Sequence, residues 1–202
     1  MKHWKGSLNH PRSVLRFAWV LSMFAVMFSA CGANAGALLT LANDPFAHPS
    51  GIFEIAIPEG WVTEPGGGEE MVWLLPPSDA DLNLSLVMIA EELPGADENA
   101  MLAAASARIE GYLQDLLPYE DYEIINQSEM RVARNPAILL DFARPLGESY
   151  HVGRMVLIYL PGHLVFVIGF GPRDEWDAFL PTFRKMVDGM TFSLEPFPLE
   201  GE

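Results

Sequence analysis

The chain has one cysteine, Cys31, among 202 residues. No second thiol is present to close a disulfide, and a cysteine-based zinc site has no ligand set to draw on. Basic residues are also scarce. Of the 12 lysines and arginines, Lys2, Lys5, Arg12 and Arg16 precede Cys31, whereas all 27 acids follow residue 43. Past residue 30 the formal charge is therefore 8 − 27 = −19. A field of that sign repels phosphate backbones, which excludes nucleic acid as a natural partner. Long apolar runs are missing too. The longest, from Phe17 to Ala30, covers about 14 mostly apolar residues and falls short of the roughly 20 that a spanning helix needs. Catalytic signatures are absent in the same way. There is no Gly-x-Ser-x-Gly elbow. Gly66-Gly67-Gly68 leads into Glu69-Glu70 rather than into a lysine and a helix, so it reads as a turn and not as a phosphate cradle.

What is present first is an address. An acid-free basic start, a short apolar run and a zone of small residues make an export signal. Phe28-Ser29-Ala30-Cys31-Gly32 resembles the lipobox of bacterial lipoproteins. That resemblance implies cleavage before Cys31, acylation of its sulfur and amine, and attachment to the lipid bilayer on the extracytoplasmic side, in the cell envelope. Ala33-Asn34-Ala35 offers a second cleavage site, which would release a soluble exported protein. The sequence divides into a signal at 1–30, a tether at 31–50, one domain at 51–193 and a frayed tail at 194–202.

Within the domain, strand patterns dominate. Phe53, Ile55 and Ile57 alternate with Glu54 and Ala56, and a second strand runs from about Glu70 to Leu75. Leu82, Leu84, Leu86 and Met88 share the face of a third. Asp97 caps an expected helix in which Met101, Ala105, Ile109, Leu113 and Leu116 recur at helical spacing until Pro118. Two hairpins follow. One runs from Tyr122 to Val132, turns at Arg134-Asn135-Pro136 and returns to Arg144; the other runs from Tyr150 to Leu160 and from His163 to Gly171. The runs Met155–Leu160 and Leu164–Phe170 are too continuous for a water-facing side, so they belong to central strands covered on both faces. A last helix spans about Arg173 to Asp188, with Pro181 expected to kink or break it and Gly189 to end it. Short connections demand antiparallel pairing. The fold class is α+β: an antiparallel sheet of six to seven strands flanked by helices, an αβα sandwich.

Gly51-Ile52-Phe53-Glu54-Ile55-Ala56-Ile57-Pro58-Glu59-Gly60-Trp61 is an amphipathic strand, a proline turn and a tryptophan. With this element order and a last helix ending before Met190-Thr191-Phe192, it resembles PsbP-like and DcrB-like domains over residues 48–193. The resemblance implies a non-enzymatic sandwich used in assembly, docking or cation retention, without a cofactor. Asn135 stands where relatives often place glycine in the hairpin.

Candidate chemistry is thin. His48, His151 and His163 lack metal-ligand spacing and read as exposed strand and loop residues. Among the acidic clusters, the Pro76–Asp81 turn with Asp79 and Asp81 is the place for a weak Ca²⁺ or Mn²⁺ site, although no EF-hand pattern surrounds it. Trp61 and Trp73 flank the glycine turn and are expected in core and corner packing before any groove. The sequence thus points to an exported, tethered binding or assembly domain with an unknown envelope partner. An envelope hydrolase with a dispersed site is the alternative.

Overall fold

The computed structural model describes residues 38–67, 70–93, 104–105, 108–109, 111–113, 122–146 and 149–196. The signal, Cys31, the capping residue Asp97 and the last six residues lie outside them. In chain order the strands are β1 (Phe46–Ala47), β2 (Phe53–Ile55), β3 (Val62–Pro65), β4 (Met71–Leu75), β5 (Ser85–Glu92), β6 (Glu123–Val132), β7 (Asn135–Leu146), β8 (Ser149–Leu160), β9 (His163–Pro172) and β10 (Thr191–Phe192). Helix α1 (Arg173–Asp188) precedes β10. Residues 104–105, 108–109 and 111–113 are helical as well.

Seven strands form one antiparallel sheet in the order β3-β4-β5-β9-β8-β7-β6. The period-2 alternation of the strands sorts their side chains between two cores. Leu86, Met88, Val156, Ile158, Val165 and Val167 face one way and pack with Trp176, Phe179, Phe183 and Met186 of α1. Val87, Ile89, Leu140, Leu157, Phe166 and Ile168 face the other, where they meet the helical residues Ala105, Ile109 and Leu113. Strands β5, β8 and β9 are thus apolar on both sides, which is why their sequences run on without alternation.

Helix α1 lies close on the sheet because Gly169 lacks a side chain. A Cβ there would meet Trp176 Cη2 and Cζ3 at 2.7 Å. Gly169→Ala is accordingly expected to cost about 1–3 kcal/mol, as overpacking of a filled core does, read from the urea midpoint. The helix runs unbroken through Pro181, which sits on its exposed side. The expected break is therefore absent. Gly189 ends the helix, its N–H donating to the Lys185 carbonyl at 3.1 Å.

Four sequence expectations need correction. The first expected strand is not in the main sheet: β2 pairs with β1 and β10 in a separate three-stranded sheet. Strand β3, which no apolar alternation announces, forms one edge of the main sheet and is exposed throughout. The tether does not extend to residue 50. Leu39 N–H donates to Thr182 Oγ1 at 3.1 Å, Ala42 N–H to the Ile57 carbonyl at 2.8 Å, and Leu41 bridges Pro58. Leu39, Leu41 and Phe46 pack against the α1-side core, so the domain begins at least at residue 39. Finally, the β6–β7 turn is made by Ala133 and Arg134, both at positive φ (46° and 74°), and not by Arg134-Asn135-Pro136. Asn135 is buried, and its side-chain amide donates to the Val132 and Ala133 carbonyls at 3.4 and 3.3 Å. That side chain supports a two-residue turn whose twist favours glycine or asparagine at the central positions.

Candidate functional site

Strand β6 closes the sheet on one side, and nine of its ten residues are exposed or half-buried; only Val132 is buried. A register shift between Ile124 and Asn126 leaves Ile125 as an extra residue. Bulges of this kind bend a strand and re-aim its side chains. Here Ile124 and Ile125 stand 44% and 56% exposed, two large apolar residues on an open edge. An unpaired strand edge is a template for another extended chain.

At the opposite end of β6, next to the Ala133–Arg134 turn, lies a groove of about 470 Å³ lined by Glu129, Met130, Arg131, Pro136, Ile138 and Tyr159. Register explains the grouping. Arg131 opposes Pro136, Glu129 opposes Ile138, and Tyr159 lies one residue beyond the Ala137–Ile158 pair. All five groups from alternate positions therefore stand on the sheet face opposite α1. Arg131 Nη1 donates to the Arg134 carbonyl at 2.8 Å, which draws the guanidinium toward the turn. Tyr159 is 4% exposed, and its hydroxyl is buried without a hydrogen-bond partner among the described residues. Burial, and then the Glu129 charge, pushes this phenol up to about 12, so it remains an O–H donor at any physiological pH.

Nothing in the sequence reading selected this groove. The available signal was Tyr159 itself, the single hydroxyl in the apolar run Met155–Leu160.

The residues that the sequence did select are scattered. Asp79 and Asp81 are exposed in the connection between β4 and β5, and no group of three or more His, Cys, Asp or Glu residues placed to hold a metal occurs among the described residues. His151 and His163 fall at opposite ends of the β8–β9 hairpin. His163 Nδ1 lies 3.1 Å from the Pro161 carbonyl, and burial with the nearby Arg144 charge lowers the His151 pKa. Cys31 lies outside the described residues.

His48 overturns its expected exposure. It is 2% exposed, stacked on Phe53 at 4.6 Å, with Nδ1 2.8 Å from Ser50 Oγ. Burial lowers its pKa from 6.5 to about 4, against a smaller opposing pull from the Met88 backbone. The unfolded chain thus binds the proton more readily than the folded one, and acid favours unfolding. Stability from this source is complete above pH 6.5 and declines as the pH falls toward 4. Between pH 7 and 5 the loss is about 2 kcal/mol. Urea midpoints at the two pH values should show it in the wild type and not in His48→Leu. An equal loss in both would contradict the assignment.

No protein-family profile matches the sequence, and neither does any curated protein. Solved structures do match. The cyanobacterial PsbP protein CyanoP from Synechocystis sp. PCC 6803 aligns over 80% of this chain and 96% of its own, with a TM-score of 0.58 at 16% identity. LpqN, described as involved in cell envelope biogenesis of Mycobacterium tuberculosis, aligns over 75% of this chain and 90% of its own, with a TM-score of 0.51 at 12% identity. An antiparallel sheet with helices on both faces defines an α+β sandwich. Within that class the fold is like that of CyanoP, in line with the resemblance of the Gly51–Trp61 segment. Identities this low establish the fold alone.

Proposed function

We propose that the protein is an exported lipoprotein, held at the cell envelope by acylated Cys31, whose PsbP-like domain binds an envelope protein and does not catalyse. The observation that carries this reading is the contrast within the sheet: strands buried on both faces at its centre, and at β6 an edge exposed on both from Glu123 to Glu129. The partner segment is an extended chain that pairs with β6 and covers Ile124 and Ile125. The basic n-region, the apolar run and the Phe28–Gly32 segment support the address. LpqN's role in envelope biogenesis supports a setting of the same kind.

Two measurements test this. Mass spectrometry of the mature N-terminus should find a lipid-modified Cys31; a chain beginning at Gly36 would mean release through the Ala33-Asn34-Ala35 site instead. Crosslinking from position 127, exposed on the same strand, should capture a partner in intact cells, and Ile124→Lys with Ile125→Lys should abolish capture with an unchanged melt. Capture that survives both lysines places docking elsewhere on the domain.

A further inference from the structure

A buried hydroxyl with no acceptor is an unmet cost of folding, and such groups are scarce in native proteins. Tyr159 carries one at the groove beside the β6–β7 turn. A ligand atom that accepts its hydrogen bond removes that cost, and the groove around it limits what the ligand is. Pro136 and Ile138 give it an apolar floor. Glu129 and Arg131 stand two residues apart on the same side of β6, about 7 Å along the strand. A simple anion meets Glu129 and a chain bearing 27 acids, and a simple cation meets Arg131. A molecule with both charges close together satisfies each. One amino-acid backbone bridges that span with a hydrogen bond at either end.

We propose that this groove is a binding site for a small zwitterion with an apolar side chain, an apolar amino acid or dipeptide, whose ammonium meets Glu129, whose carboxylate meets Arg131 and Tyr159, and whose apolar part lies on Pro136 and Ile138. A volume of about 470 Å³ lies in the range typical of small-ligand sites. The assignment holds whether or not Cys31 carries lipid, and it concerns a different part of β6 from the Ile124–Ile125 bulge.

Calorimetric titration of the wild-type protein with leucine, leucyl-leucine, N-acetyl-leucine and leucinamide tests it. Leucine or leucyl-leucine should bind saturably, with N-acetyl-leucine and leucinamide at least about tenfold weaker, because each lacks one charge. Tighter binding of leucine identifies a free amino acid as the ligand, and tighter binding of leucyl-leucine a dipeptide. Tyr159→Phe should weaken binding about tenfold while raising the melting temperature by about 2–4 °C, since it removes the unpaired hydroxyl. Arg131→Gln should erase the preference for leucine over leucinamide. The proposal is overturned by the absence of saturable binding for all four compounds up to about 20 mM. Binding that Tyr159→Phe leaves unchanged also overturns it.

Discussion

Asp141→Ala lowers the unfolding free energy by about 3–5 kcal/mol, the range expected when a buried charge, here Arg154, loses its half-buried partner. Arg154 is 8% exposed on β8, between Val152 and Val156 of the α1-side core. Its Nε donates to Asp141 Oδ1 at 2.6 Å and its Nη2 to Oδ2 at 3.0 Å, a two-pronged pairing from adjacent strands. Asn126 adds a longer contact to Oδ2 from β6 at 3.5 Å. Without the carboxylate the guanidinium remains in the core with its charge unmatched. The paired replacement Asp141→Leu with Arg154→Met should recover most of the loss, because apolar residues of similar volume commonly equal or exceed a buried ion pair. Urea unfolding of the single and paired variants measures both effects. A single-variant loss below about 1 kcal/mol would show that the pair behaves as a surface contact.

Trp61→Ala should cost a similar amount, about 3–5 kcal/mol, as truncation of a buried aromatic does. Trp61 is 7% exposed and stacks on Phe179 of α1 with ring centroids 5.2 Å apart and planes 15° off parallel. Phe179 in turn meets Trp176 at 6.0 Å, and Trp176 meets Phe183 at 5.3 Å. The corner after β2 is thereby joined to the helix through a chain of rings. Trp61→Phe keeps a ring in the stack and should lose less than half as much. Thermal melts separate the two variants. Unchanged stability in Trp61→Ala would remove Trp61 from the core.

The central sheet was legible because its chemistry is monotonous. Met155–Leu160 and Leu164–Phe170 have no polar side that could face water, so their burial on two faces follows from composition. Helix α1 was legible from the spacing of Trp176, Phe179, Phe183 and Met186. Strands β1, β3 and β10 were not. Two of them are two residues long, and in β3 all four residues are exposed, so no pattern of burial is written in them. His48 misled for a related reason: its surroundings, Pro45 and Pro49, read as a loop, while the return of the chain into β2 stacks it on Phe53. The groove was hidden more deeply. Glu129, Arg131 and Tyr159 come from two strands about 30 residues apart, and only the pairing of β6, β7 and β8 puts them on one face.

The attachment of Leu39 to Thr182 sets how far this domain can wander. If Cys31 is the lipidated residue, 39 − 31 = 8 links separate the fatty anchor from the first fixed point on α1. Fully drawn out, those links reach about 26–29 Å. On the lipoprotein reading proposed above, links of that reach would hold the sandwich near the headgroups, and a partner would have to come within range of the same bilayer.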